Sequence, residues 1–351
     1  MRAARILQYH KPLVLEDIAV PDIEPDEVLV KVAACGMCRS DVLLVDGFFQ
    51  NYGDIPPPVI PGHEITGTIE KIGGVVSKSA GLEEGDHVVV APGWGDGVCR
   101  HCQVGNTHIC ANVRWPGFGS YGGFAEYIPV PARYVIKVAE HLKFEELAPL
   151  TDAGLTPYRG IKKIRDAGGL GPDRVIGVFG IGGLGAYAVQ YAKLLGAGAT
   201  VVAFARNPDK LAIAKSYGAD HIIDIKGRST GDIGEELKKA TGQDKLDAII
   251  DCAGAREMMQ LGFALLAISG HYADVGFIAD RIDIPLFPRV SGEQTFHGSF
   301  WGNNADLAEV MALAAAGKIQ HTIKTIGFDE INEYLDLQRD NKVVGRAVVK
   351  F

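Results

Sequence analysis

Apolar and polar positions follow two different rhythms along this chain. From residue 1 to about 150 they trace short strands, as in Val28-Leu29-Val30-Lys31-Val32 and His87-Val88-Val89-Val90, broken by many Gly and Pro residues. Short runs punctuated by turn formers predict an irregular β domain. From about 155 to 290 strand-length apolar runs alternate with segments of helical period. Val175 to Phe179 reads as a strand, Ala186 to Leu195 as a helix and Thr200 to Phe204 as the next strand. Asn207-Pro208-Asp209 then supplies an N-cap and a first-turn proline for another helix. This alternation predicts βαβ units and a parallel sheet. Beyond about 291, two amphipathic stretches at 304–316 and 328–340 precede a last strand, Val343 to Lys350.

Chemistry enters where the first βαβ unit turns. Gly180-Ile181-Gly182-Gly183-Leu184-Gly185 follows an apolar strand and opens a helix, the context in which G-x-G-x-x-G binds a dinucleotide. Gly180 permits the tight turn, Gly182 lets the backbone approach a pyrophosphate, and Gly185 lets helix pack on strand, while the helix N-terminus supplies amide donors. A merely tight strand-to-helix turn is the competing reading. The acid that binds the ribose 2'-hydroxyl of NAD is expected at the end of the next strand. That position holds Ala205, followed by Arg206, with Lys210 one helical turn on. Nothing there repels a 2'-phosphate, and a guanidinium can grip one through paired hydrogen bonds. NADP is therefore the expected cofactor; an Arg206 that is only solvated surface would leave NAD equally usable.

Composition narrows the class. With 351 residues and 47% hydrophobic content, the chain can bury a full core, and its length suggests two domains. A net charge of −8 argues against a nucleic-acid partner. No stretch approaches the roughly 20 apolar residues of a membrane span, and the N-terminus lacks an apolar leader core. Six cysteines are too few for a disulfide scaffold, and most fall at metal-type spacings, so a reducing, cytoplasmic setting is expected. Asp96-x2-Cys99-x2-Cys102-x7-Cys110 packs three thiols and a carboxylate into one short loop. Zinc prefers four tetrahedral ligands, most often sulfur, so a closed structural site is the economical explanation. The glycine-rich lobe Gly93 to Gly105 has little apolar material to bury, which leaves metal bonds to order it. His101 and His108 compete with Asp96 for the fourth place.

Three further residues stand in informative frames. Cys38 begins Cys-Arg-Ser-Asp, His63 sits in Pro-Gly-His-Glu, and Asp152 lies in Leu-Thr-Asp-Ala-Gly-Leu-Thr just before the glycine motif. In order along essentially the whole chain, these motifs resemble the zinc-dependent medium-chain alcohol dehydrogenases, and most closely the archaeal and bacterial secondary-alcohol branch. The resemblance implies an α/β protein: a Rossmann doubly wound domain at 154–290 inserted into a GroES-like irregular β-barrel catalytic domain at 1–153 and 291–351, with the structural zinc lobe at 93–112. It implies a catalytic zinc held by Cys38, His63 and Asp152, with one coordination position open as catalytic sites require. Asp152 competes for the role of helix N-cap, a place Asp favours. Asp96 stands where most relatives have a fourth Cys.

The same resemblance assigns roles around the metal. Glu64 is an occasional extra zinc ligand, Ser40 relays the substrate proton toward the nicotinamide ribose, and Asp41 orients His63. Arg39 and Arg346 pair with the pyrophosphate, and Thr156 and Phe277 pack near the cofactor. Leu43 replaces the histidine that hands the proton to solvent in some members. Phe48, Phe49, Tyr52, Trp94, Trp115 and Trp301 fall in segments that line the substrate cleft of relatives, which implies an apolar pocket for a medium-sized alcohol, aldehyde or ketone; Arg114 is placed to hold an acidic one. Cys35 and Cys252 read as packed thiols. Relatives are commonly homo-tetramers, others dimers. Three rival readings follow from the glycine motif alone: a zinc-free quinone or enoyl reductase, a non-catalytic dinucleotide-binding protein and a methyltransferase. None of them needs Cys38, His63, Asp152 and the cysteine loop together.

Overall fold

The structure, a computed structural model, describes residues 1–76, 78–279 and 281–351. Nine of its strands, β1 (Arg2–Arg5), β2 (Val14–Asp17), β3 (Glu27–Gly36), β4 (Glu64–Ile72), β5 (His87–Val90), β6 (Tyr127–Pro131), β7 (Val135–Lys137) and, after a long insertion, β14 (Ile323–Gly327) and β15 (Arg346–Lys350), belong to one compact unit, Met1–Leu155 with Gly302–Phe351. β1 and β2 form a separate hairpin-like pair, and the main sheet runs β14-β15-β3-β4-β5-β7, with β6 also on β3. Strand β3 is the hinge of this arrangement: β4, β6 and β15 all pair with it antiparallel. Two register shifts in β3 against β4 bend the sheet, as bulges do. The tail therefore returns to the first domain through β15, a return that hydrophobic patterning alone did not reveal.

The second unit is Thr156–Trp301. Its strands β8 (Val175–Phe179), β9 (Thr200–Ala205), β10 (His221–Asp224), β11 (Leu246–Asp251), β12 (Leu266–Asp274) and β13 (Thr295–Gly298) lie in the order β10-β9-β8-β11-β12-β13. All pairs are parallel. The order reverses between β8 and β11, and such a switch point opens a crevice at the strand ends where dinucleotides bind. The apolar runs predicted as strands are buried on both faces, with every residue of β8 covered, as a parallel sheet requires. Phe179, Phe204, Leu237, Ile249, Phe263 and Tyr272 anchor the core of this unit, and each fully buried apolar side chain contributes about 1.5–3 kcal/mol.

The predicted elements are met closely here. The helix expected at Ala186–Leu195 spans Gly183–Leu195, and Asn207 caps the helix Pro208–Ser216 by accepting from the Asp209 amide at 2.8 Å. The boundary expected at 291 falls instead after Trp301. The reason is β13, which adds to β12 in parallel register and keeps the intervening chain with the second unit. No helix among the described residues is long and apolar enough to cross a membrane.

Candidate active site

Cys38, His63 and Asp152 come together from three different elements of the first unit. Cys38 is the N-cap of the helix Arg39–Val45, with its backbone extended and its amide donating to Asp41 Oδ2 at 2.7 Å. That bond fixes the turn from which the thiol projects. His63 follows Gly62, whose φ of +92° and lack of a Cβ are both required: a Cβ there would stand 2.7 Å from Phe124 Cδ1. Asp152 ends the short 3-10 turn Ala148–Thr151. One ligand atom from each of the three lies within 4.8 Å of the others, and all three residues are buried. A thiolate, an imidazole and a carboxylate gathered out of water are the donor set of a catalytic zinc, so these residues fit that ion.

The surroundings of His63 fix its ring. Its Nδ1 lies 3.4 Å from Asp41 Oδ1, which also accepts from the Gly62 amide at 3.2 Å. Its Nε2 lies 3.5 Å from Asp152 Oδ2 and 3.4 Å from Ser40 Oγ. Burial disfavours a charged imidazole, but the carboxylate of Asp41, joined by Asp152, raises its pKa well above the ordinary histidine value. An imidazole held at one nitrogen by a carboxylate is oriented to offer the other to a metal. Ser40 thus stands beside the cluster, as expected. The Gly62 amide is a contact that the residue pattern did not reveal.

Three side chains that the resemblance places at the cofactor or the metal have protein partners in this structure. Arg346 is buried among carboxylates: its Nε donates to Glu64 Oε2 at 2.9 Å, and its Nη2 donates to Glu64 Oε1 and, at 3.1 Å, to Asp152 Oδ2. Glu64 lies outside the converging ligand group because that ion pair and the Ala153 amide, at 3.0 Å, occupy its carboxylate. Burial raises its pKa to about 7 against the pull of Arg346. Arg39, expected at the pyrophosphate, instead donates through Nη1 to the carbonyls of Gln338 and Arg339 at 2.8 and 3.2 Å. These carbonyls lie in the last turn of the helix Ile331–Arg339, a natural seat for a cation.

The cysteine loop closes on itself. Ligand atoms of Asp96, Cys99, Cys102 and Cys110 lie within 4.8 Å of one another, with Cys99 Sγ 3.6 Å from the sulfurs of both Cys102 and Cys110. Asp96 is the fourth member of the group, and among the described residues His101 and His108 lie outside it. The amides of Val98 and Cys99 and the Asn112 side chain all donate to Asp96, which holds its carboxyl well below the usual range. Asn112 carries no signal in the sequence beyond its closeness to Cys110.

In the second unit the glycine motif forms the expected cradle. Gly180 has φ +82°, and a Cβ there would stand 2.7 Å from that of Ala253. A Cβ on Gly185 would lie 2.0 Å from the Gly180 carbonyl oxygen, whereas Gly182 faces open space in which backbone can meet a pyrophosphate. Leu184 lies in the first turn of the helix, and Ala205 ends β9. Among the described residues, neither Arg206 nor Lys210 has a carboxylate partner, and burial, followed by the charge of Arg206, lowers the Lys210 pKa. Two adjacent cations without a counter-ion suit an anionic ligand. Thr156 is buried at the start of the helix Leu155–Asp166, and Phe277 is exposed beyond β12.

The expected pocket residues divide. Phe118, which the sequence reading passed over, has its ring 5.5 Å from that of His63 and contacts Phe49 and Trp115 edge-on at 5.1 and 5.9 Å. Phe49 continues through Phe48 to Tyr52. Trp94 is packed elsewhere in the unit, with its Nε1 on the Ala91 carbonyl and the Arg114 guanidinium 5.7 Å over its ring.

Comparison with known proteins agrees with both halves. Residues 24–140 match the alcohol dehydrogenase GroES-like domain and residues 183–316 the zinc-binding dehydrogenase family. An NAD-dependent alcohol dehydrogenase from Saccharolobus solfataricus is 38% identical over 99% of this chain and 99% of its own. A D-arabinose 1-dehydrogenase (NADP(+)) from the same organism is 32% identical over 99% and 97%. The crystal structure of an alcohol dehydrogenase from Aeropyrum pernix superposes with a TM-score of 0.92 at 35% identity, covering both chains completely. With the two domains, the converging ligand set and these relatives in agreement, the chain belongs to the zinc-dependent medium-chain alcohol dehydrogenase family.

Proposed function

We propose that this chain moves a hydride between NADP(H) and an alcohol or its aldehyde or ketone, at a zinc held by Cys38, His63 and Asp152. The observation that carries the reading is the buried convergence of those three side chains with Ser40 beside them. A bound zinc supplies Lewis acidity that brings the ionisation of an alcohol within reach of neutral pH; a bound nicotinamide accepts or donates the hydride. The chain's own groups do the rest. Cys38 and Asp152 offset the two charges of the ion, which leaves the site able to hold either a neutral carbonyl or an anion. Asp41 keeps the imidazole in one orientation. Ser40 Oγ takes the substrate proton, and Leu43, being apolar, cannot pass it on, so the proton leaves by another path.

Arg206 and Lys210 support NADP over NAD, because they offer two donors and no acid where the 2'-phosphate would lie. The names of relatives include both an NAD-dependent alcohol dehydrogenase and an NADP-dependent sugar dehydrogenase. Asp96, Cys99, Cys102 and Cys110 would hold a second, structural zinc, two ions per subunit in all. Phe118 beside His63, with Phe49 and Trp115 packed on it, favours an apolar substrate, and with NADP the reductive direction is the physiological one. A panel of alcohols and aldehydes followed by NADPH absorbance, with and without chelator, tests the reading. Turnover that survives metal removal would sink it.

We place the enzyme in the cytoplasm, where six cysteines outside any disulfide are stable, and as a homo-oligomer, tetramer or dimer. The helix Leu286–Ser291 leads into the edge strand β13 and exposes Leu286, Phe287 and Val290 at 72, 81 and 75%. Apolar surface beside an open sheet edge invites cover, which a second copy would provide. Light scattering should give a multimer for the wild type and a smaller species for F287D/V290D.

A further inference from the structure

We infer that Arg346 is a built-in counter-cation of the catalytic metal site, competing with the ion for Asp152 and thereby setting how tightly the ion is held. The inference rests on reading Cys38, His63 and Asp152 as the metal ligands. Arg346 Nη2 donates at 3.1 Å to Asp152 Oδ2, the same oxygen that lies 3.5 Å from His63 Nε2. The guanidinium therefore grips the edge of the carboxylate that faces the ligand cluster. A cation bound through that oxygen would share it with Arg346 or displace it.

The rest of the guanidinium is anchored so that it stays in place. Nε and Nη2 form a fork on Glu64, and Glu64 is held in turn by the amide of Ala153, the residue after Asp152. Arg346 opens β15, which pairs with β3 a few residues before Cys38. Arginine, both carboxylates and the histidine are all buried. Buried carboxylates left without a partner are strongly destabilising, whereas one cation shared between two of them offsets much of that cost. A second positive charge beside a metal also repels it. Both effects have the same sign: removing the guanidinium raises the free energy of the protein without its ion and lowers that of the loaded protein relative to it.

The readout is metal affinity rather than turnover. Zinc binding to stripped protein is measured by competition with a chelator, and a Cys38→Ser control identifies which binding step belongs to this site. Arg346→Gln should bind zinc at this site about tenfold more tightly, a change the size that groups contacting metal ligands commonly produce. The melting temperature of the stripped variant should fall while that of the loaded variant falls much less. A merely structural arginine would lower both equally. The double variant E64Q/R346Q removes the pair together, is expected to fold even should the single variant fail to, and should also bind zinc more tightly than wild type. Unchanged or weaker zinc binding in the folded variants overturns the inference. NADPH affinity dropping about tenfold while zinc affinity stays put would return Arg346 to the pyrophosphate. If Cys38→Ser loses no binding step, the ligand assignment itself fails, and the inference with it.

Discussion

Arg206 can be judged by magnitude. A hydrogen bond to a charged group contributes about 1.5–3 kcal/mol, and roughly 1.4 kcal/mol is a tenfold change. Arg206→Ala should therefore lower kcat/KM for NADPH by about one to two orders of magnitude and leave NADH nearly untouched; equal losses with the two cofactors would show that Arg206 does not read the phosphate. Ser40 makes a different kind of contact, 3.4 Å from His63 Nε2 and beside the ligand cluster. Ser40→Ala should reduce kcat by about 10²-fold or more, as loss of a proton-transfer group does, with zinc content unchanged; near-normal turnover would remove Ser40 from the proton path. At this scale the metal ligands were legible because each sits in its own short frame. The burial of Arg346 was not legible because a buried arginine and an exposed one look alike in a sequence, and only the pairing of β15 with β3 reveals it. Phe118 was missed for the related reason that an aromatic in a glycine-rich loop carries no periodic signal.

At the scale of elements, the cysteine loop is the segment whose order depends most on a metal. Its helix Arg100–Gln103 has no buried residue, and Val98 and Val104 are largely exposed. With so little apolar burial, the loop relies on contacts around four ligands. Cys99→Ser should speed backbone hydrogen exchange across 95–112 while leaving exchange in β8 and β11 unchanged, and metal analysis should drop from two ions per subunit to one. A variant that exchanges like the wild type would mean that packing, not metal, orders the lobe. The βαβ elements were readable almost to the residue because buried parallel strands are continuous apolar runs and Asn207-Pro208 marks a helix start. The first unit was less readable. Its strands β6 and β7 are short and pair with residues far away in the chain, and a pairing set by β3 leaves no local trace.

At the scale of the whole molecule, the second boundary lay beyond the reach of patterning, since whether β13 joins the sheet depends on partners and not on its own four residues. The ends of the same sheet also make global stability depend on pH. Asp251 and Asp274 are register partners at the ends of β11 and β12. Asp251 is fully engaged by the Ala253 and Gly254 amides and the Tyr272 hydroxyl, whereas among the described residues the Asp274 carboxylate accepts only from the Gly276 amide, at 3.2 Å. Burial, followed by the charge of Asp251, raises the Asp274 pKa to about 7. An acid whose pKa is higher in the folded state binds its proton more tightly there, so folding releases less free energy as the pH rises from the unfolded value, near 4, to about 7. Asn keeps the acceptor for Gly276 and cannot ionise. Asp274→Asn should therefore melt close to wild type near pH 4 and progressively above it toward pH 8. A gap between the two melting curves that stays constant or shrinks over that range would mean that the two carboxylates do not share the strand ends as a charged pair.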